Sequence, residues 1–474
     1  MHREKPMGRF CLAPRPKACR RKIDNPLLFR FSLCLCASVV QTGVSRMNIL
    51  ILTNTFTPHV GGVARSVAAF AEEYRKRGHR VLVVAPEFPD MPQHEVDVVR
   101  IPAIQNFNAS DFSVVLPIHP PLTDTLDAFR PDIVHSQHPF LLGMTAVRIA
   151  RRRGLPLVFT HHTLYERYTH YVPGDSSALK RFTIELATRY ANLTDQVFAP
   201  SESIRDLLLQ RGVVTPIAVV PTGVRLEHFA HGDGAAFRRQ RGIPDDAFVV
   251  GHLGRLAPEK NLAFLAQAVA DFVGSHPNAH FLVIGSGPAE AAMRDVFARA
   301  GLEARLHVAG ILQQQALADA LHAMDLFAFA STSETQGMVL TEAMAAALPV
   351  VALDAPGARD VVRDRHNGRL LHEATPAAFS AALQWMAGLD AESLRDLKQA
   401  ARETAEAFSM SRSADKALAC YEALKPGKAT ESGEDVSAWE EVMTAIRTEW
   451  DILKSVAGAG DAALGSGLLS DMED

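Results

Sequence analysis

From Met47 onward, short apolar runs alternate with amphipathic stretches, and a chain with that rhythm buries its runs most readily as parallel strands joined by crossover helices. The runs are Asn48–Thr53, Arg80–Ala85, Asp97–Ile101, Ile133–His135, Leu157–Thr160 and Gln196–Ala199, with helical periodicity in Val63–Arg77 and Gly143–Arg153. A second series starts near Ile217-Ala-Val-Val220 and continues through Phe248–Leu253, His280–Ile284, Leu306–Val308, Asp325–Ala330 and Val350–Leu353. Two α/β sheets are expected, with a boundary near Thr215-Pro216 and Pro221–Phe229 as the first loop of the second domain. The expected organisation is one domain over 47–215, a second over 216–405, and a helix in 406–427 that can cross back to the first.

At 474 residues the chain is long enough for two to four domains, and a net charge of −4 argues against general nucleic-acid binding. The charge gathers at the ends. Residues 1–46 carry ten Lys or Arg against Glu4 and Asp24, while 428–474 carry three basic and eleven acidic residues. Four of the five cysteines, Cys11, Cys19, Cys34 and Cys36, lie in that basic leader, so the body has no disulfide scaffold and suits a reducing, cytoplasmic setting. The leader's apolar stretch, Leu27 to Val40, is too short to span a bilayer and imitates a signal peptide. Met47-Asn48-Ile-Leu-Ile-Leu-Thr53 reads as a first core strand after a start methionine, which makes residues 1–46 an over-extended start or a disordered arm. In the acidic tail, Trp439, Val442, Met443, Ile446, Trp450 and Leu453 recur at helical spacing and predict one amphipathic helix, packed on the body or on a partner subunit.

The richest chemistry lies in Ser331–Ala347, STSETQGMVLTEAMAAA. The apolar run Asp325–Ala330 before it reads as a strand covered on both faces, and the sequence after the glycine reads as a helix. The carboxyl edge of such a strand faces a ligand crevice, and the amides of Gly337, Met338 and Val339 at the helix start favour an anion there. Glu334 and Glu342 repel phosphate; their natural partners are hydroxyls. Phosphate and hydroxyls together describe a nucleotide sugar. The plainer alternative makes Glu334 a loop cap and Glu342 a solvated helix residue.

Gly254-Arg255-Leu-Ala-Pro-Glu-Lys260-Asn261 likewise follows a strand and precedes a helix beginning at Leu262. An arginine fork with a lysine point charge makes a pyrophosphate clamp, unless both are ordinary surface charges. No Asp-x-Asp pair occurs and no histidine has zinc-site spacing, so neither a metal nor another cofactor is called for. In the first half, Gly61-Gly62 sits between strand and helix, where backbone can approach a phosphate or simply turn. His135-Ser-Gln-His138 and His161-His162 stand at strand ends, placed either for substrate contact and proton traffic or for buried hydrogen bonding.

Taken together, these stretches over residues 47–425 resemble the retaining glycosyltransferases of family 4, whose GT-B architecture sets two Rossmann-like domains face to face around a cleft. The strongest elements are the E-x7-E pattern, Glu334 to Glu342, and Gly-Arg-Leu-x-x-Glu-Lys-Asn at 254–261. By resemblance, Arg255 and Lys260 bind the donor diphosphate, with the Gly61-Gly62 loop beside it. Glu334 meets the donor sugar and Glu342 the ribose. His135 or His138 meets the transferred sugar. Two departures stand out: the family's Asn-Gly-Val-Asp turn is Thr222-Gly-Val-Arg225 here, and the aromatic before the helix glycine is Gln336. The latter, with Phe159–Tyr165 and Tyr168-Thr-His-Tyr171, looks like the branch that glycosylates diacylglycerol and related lipids.

The resemblance implies transfer of a hexosyl group from a nucleoside-diphosphate sugar, UDP-glucose first and GDP-mannose next, to a lipid or glycan hydroxyl. A lipid acceptor calls for peripheral contact with an anionic inner membrane face. Arg148, Arg151, Arg152 and Arg153, and Arg75, Lys76, Arg77 and Arg80, are basic clusters that suit it; solvated helix ends are the alternative. An epimerase or hydrolase on the same scaffold, and a non-catalytic nucleotide-sugar binder, are the rival readings.

Overall fold

The computed structural model describes residues 46–424 except 60, 93, 105–113, 116–120 and 168–175. The leader up to residue 45, the tail from residue 425 with its helical spacing, and Tyr168-Thr-His-Tyr171 lie outside the described residues.

Among the described residues, the first lobe holds β1 (Asn48–Leu52), β2 (Arg80–Pro86), β3 (Val98–Ile101), the short antiparallel ribbon of β4 (Ala103–Ile104) and β5 (Val114–Val115), then β6 (Ile133–Ser136), β7 (Leu157–Thr160), β8 (Gln196–Ala199) and β9 (Ile217–Val219). Its parallel sheet runs β3-β2-β1-β6-β7-β8-β9. The second lobe holds β10 (Phe248–Leu253), β11 (Ala279–Ile284), β12 (Leu306–Val308), β13 (Leu326–Phe329), β14 (Val350–Leu353) and β15 (Gly368–Leu371), ordered β12-β11-β10-β13-β14-β15. In both sheets the order reverses beside the first strand of the lobe. That reversal opens a crevice at the carboxyl ends of the two central strands.

Side chains of each central strand feed two cores, which explains the continuous apolar runs. Leu50 and Leu52 of β1 pack with Leu126 and Val147 on one face, and Ile49 and Ile51 with Val67 and Tyr74 on the other. In β13, Leu326 and Ala328 join Leu265 and Phe272, whereas Phe327 and Phe329 join Phe237 and Leu340. Each fully buried side chain of this size contributes roughly 1.5–3 kcal/mol.

One strand assignment is corrected. Ile217–Val219, expected to open the second series, pairs in parallel with β8 and closes the first sheet. Its apolar pattern specifies a strand but carries no information about which sheet receives it. The switch of lobes therefore falls between Val219 and Phe248.

The chain crosses between lobes again near its described end. Val224 donates its amide to the Phe408 carbonyl (2.9 Å) and Met410 donates to the Val224 carbonyl (2.9 Å), so the two crossings lie side by side. A Cβ on Gly223 would come within 2.2 Å of Met410 Cα, so only glycine permits this approach. The helix Met410–Ala423 then packs Ala414, Ala417, Leu418 and Tyr421 into the first lobe, against Val67, Tyr74 and Phe198. The Tyr421 hydroxyl is hydrogen-bonded to buried His135 Nδ1 (2.6 Å) and lies 3.2 Å from the Tyr74 hydroxyl. Tyr421→Phe is expected to lower stability by about 1–3 kcal/mol, because it leaves buried polar atoms unpaired. An unchanged denaturant midpoint would contradict this anchoring.

Candidate functional site

The loops leaving β10 and β13 are neighbours, because those strands pair with Val250 opposite Leu326 and Gly251 opposite Phe327. After β10, residues Pro258–Lys260 form one tight turn and Asn261 takes a left-handed φ of 57° before the helix Leu262–Ser275. Asn261 Nδ2 donates to the Ala330 carbonyl (3.2 Å), and Ser333 Oγ donates to the Glu259 carbonyl (3.1 Å). These bonds stitch the two loops together. Lys260 Nζ then reaches Glu334 Oε1 at 2.5 Å, and Ser331 Oγ donates to the same oxygen at 2.9 Å. Arg255, from the same loop, is half-exposed and pairs at 2.6 Å with Glu259. The geometry thus joins Lys260 directly to Glu334, while Arg255 is held at the rim by its own loop.

Gly337 has a φ of 70°, a left-handed conformation that favours glycine, and it starts the helix Met338–Ala345. The first amides of a helix have no acceptor within it, so those of Gly337, Met338 and Val339 bring partial positive charge to this start. Glu342 lies one turn on and is buried. Its Oε1 accepts from Arg65 of the helix Gly62–Lys76, across from the first lobe, and its Oε2 has no hydrogen-bond partner. Burial pushes the Glu342 carboxyl above the usual carboxylate range, and the Arg65 guanidinium opposes that rise. A buried carboxylate with one open oxygen is an acceptor awaiting a donor.

In the first lobe, Gly61 caps the helix start in an extended conformation, and a Cβ there would stand 3.0 Å from His59 Nε2. A Cβ on Gly62 would meet nothing within 4 Å, so that face is open. The two histidines at the end of β6 part ways. His135 has both ring nitrogens engaged, Nδ1 by Tyr421 and Nε2 by Thr160 Oγ1 (2.7 Å), and is part of the packed interior. His138 accepts the Asn54 amide on Nδ1 (3.1 Å), which places the proton of the neutral ring on Nε2. Burial, followed by the charge of His162, pushes His138 down to about 3.

Contacts between lobes converge on the same loop. Thr335 Oγ1 donates to the His162 carbonyl (2.8 Å), and Ser201 Oγ donates to the Thr335 carbonyl (2.8 Å). Gln336 is tied to Thr222, and Arg225 pairs with Glu72. Arg65 and Thr335 are participants that sequence reasoning missed, and Thr222 stood out only as a departure from the family turn; no periodicity marks a partner in another lobe. Among the described residues, no group of three or more His, Cys, Asp or Glu could hold a metal ion, and no helix is long and apolar enough to cross a membrane.

Comparison with known proteins gives this geometry a family. Residues 60–228 match the model for Glycosyltransferase Family 4, and 233–404 match Glycosyl transferases group 1. The alpha-monoglucosyldiacylglycerol synthase of Streptococcus pneumoniae is 29% identical over 332 residues, covering 69% of this chain and 75% of that protein. A GDP-mannose-dependent alpha-mannosyltransferase of Mycobacterium tuberculosis is 31% identical over 339 residues, covering 69% and 84%. Among solved structures, Anabaena Alr3699/HepE in complex with UDP and glucose superposes with a TM-score of 0.64 at 23% identity, covering 80% of this chain and 100% of that one. With both lobes matched and two parallel α/β sheets like those of GT-B structures, the chain belongs to glycosyltransferase family 4.

Proposed function

We propose that this glycosyltransferase moves a glucosyl group from UDP-glucose to a hydroxyl of a membrane lipid such as diacylglycerol, with retention of anomeric configuration. The observation that carries the reading is the Lys260–Glu334 pair at 2.5 Å, set at the switch point of the second sheet beside the start of the helix Met338–Ala345. The diacylglycerol acceptor and the glucosyl group are supported by the alpha-monoglucosyldiacylglycerol synthase named above, and a uridine nucleotide by the ligand of the Anabaena structure. A mannosyl donor is the second reading, favoured by the 31% identity to GDP-mannose-dependent mannosyltransferases.

In the reaction the bond from the anomeric carbon to the β-phosphate oxygen breaks, and the acceptor oxygen bonds to that carbon on the same face. Arg255, Lys260 and the amides of residues 337–339 stabilise the departing diphosphate as its charge grows. That phosphate takes the acceptor's proton. These cationic groups suffice for the diphosphate in this reading, without a metal. Glu334 accepts from sugar hydroxyls and the open Oε2 of Glu342 from the ribose. His138 offers its Nε2 proton to the transferred sugar, and the Gly61-Gly62 turn lies beside the phosphates.

Because His138 sits far below its ordinary range, it stays neutral from pH 5 to 8. The pH–rate profile is expected to lack a limb near 6.5 attributable to this side chain, and a wild-type limb there that His138→Gln abolishes would contradict its neutral role.

For membrane contact, Arg151 and Arg152 stand exposed at the end of the helix Leu142–Arg153. The other basic cluster is engaged within the fold: Arg77 binds Glu73, Asp415 and Ser411, Arg75 binds the Val81 carbonyl, and Arg80 lies over Phe129. The functional test supplies purified protein, with and without a chelator, with UDP-glucose or GDP-mannose and diacylglycerol in neutral or anionic vesicles. Glucolipid formed with the chelator present, faster on anionic vesicles, is the expected result. Mannolipid alone selects the second donor, and no glycolipid from either donor removes the lipid acceptor.

A further inference from the structure

Two departures from the family pattern, Thr222 and Gln336, stand 114 positions apart and meet in the structure. The Thr222 amide donates to Gln336 Oε1 at 2.7 Å, and Gln336 Nε2 donates to the Thr222 carbonyl at 2.5 Å. The carboxamide is thus paired with a backbone amide and carbonyl as a neighbouring strand would be. Both residues are buried. Thr222 Oγ1 in turn lies 2.7 Å from Ser66 Oγ on the helix Gly62–Lys76. The residue before Ser66 is Arg65, which grips Glu342. Consecutive side chains of one first-lobe helix therefore reach both ends of the segment 336–342, one directly and one through the connector between lobes.

We propose that Gln336 is a positioning residue that transmits the docking of the helix Gly62–Lys76, through Ser66 and Thr222, to Gly337. It does not touch the donor. It fixes the peptide that enters the left-handed Gly337, and so aims the amides of residues 337–339 at the donor diphosphate. A side chain unable both to donate and to accept leaves the Thr222 amide and carbonyl unpaired in a buried place, and the glycine turn is then no longer held to the connector. The inference rests on the proposed donor site.

The test measures donor kcat and KM, and the affinity for free UDP and GDP, in wild type and in Gln336→Met, Gln336→Glu, Ser66→Ala and the Ser66→Ala/Gln336→Met double variant. Gln336→Met is expected to lower kcat/KM and nucleotide affinity about 10- to 100-fold, the scale of unpaired buried groups. Protonated glutamate has the acceptor and donor of glutamine, whereas the ionised form opposes the Thr222 carbonyl. Gln336→Glu should therefore approach wild type at low pH and lose activity as pH rises, while thermal unfolding shows it folded throughout. The double variant should lose no more than Gln336→Met alone. Wild-type kcat/KM in a folded Gln336→Met, a Gln336→Glu ratio flat with pH, or strictly additive losses would overturn the relay. If wild type binds neither nucleotide and turns over neither donor, the donor site itself is wrong and this inference falls with it. Wild type active with Gln336→Met unimpaired removes this inference alone.

Discussion

Lys260→Ala is expected to lower sugar transfer by roughly 100- to 1,000-fold, the usual loss when one preorganised donor to a developing charge is removed. The effect should fall on kcat as well as on donor KM, because the diphosphate carries more charge in the transition state than in the bound donor. Stability should suffer much less. The Lys260 and Glu334 side chains retain 16% and 19% exposure, so separating them should cost less than the about 3–5 kcal/mol of a fully buried pair. Steady-state kinetics beside thermal unfolding separates these quantities. Near-normal transfer by a folded Lys260→Ala would remove the lysine from the chemistry.

Glu342→Gln is expected to raise stability at neutral pH while weakening donor binding about 10- to 100-fold, the scale of a hydrogen bond to a charged group. Burial raises the folded-state pKa of Glu342 above its unfolded value, even with Arg65 opposing. The native state therefore binds this proton more tightly than the unfolded state does. Whatever stability the protonated group contributes is present below the unfolded pKa and lost as pH rises through the folded pKa. Glutamine is neutral at every pH, so its advantage should appear only above that range and vanish in acid. A chain that keeps a carboxylate at a cost to its own stability uses the charge; here the proposed use is the ribose. Unfolding curves at acid and neutral pH, with nucleotide titrations on the same samples, test both halves. Lower stability at neutral pH together with unchanged nucleotide affinity would assign Glu342 to the Arg65 pair alone.

Most of the fold was legible because burial on two faces leaves a plain mark. Leu326–Phe329 and Asn48–Leu52 are apolar at nearly every position, and only a covered sheet accommodates such runs. Strand identity was legible, but sheet membership was not: Ile217–Val219 carries the same signal whichever lobe receives it. The approach of the Lys260 loop to Glu334 followed from topology, since loops at one sheet edge converge. Arg65 was not legible. A lone arginine on an amphipathic helix reads as solvent-facing, and its partner lies 277 positions away. Nor could sequence separate His135 from His138. The packing of Tyr421 from the returning helix occupies His135, and spacing along the chain says nothing of it. Gln336 was visible as a departure, yet its meaning required the Thr222 backbone beside it.

The central claim is that Lys260, Glu334 and the helix start at Gly337 hold one activated sugar. Calorimetric titration of UDP-glucose and GDP-mannose into wild type and into Lys260→Ala tests it most directly. The account predicts saturable binding of at least one of the two by wild type, lost or weakened at least tenfold in the folded variant. Equal affinity in both proteins, or no heat from either nucleotide sugar with wild type, would contradict it.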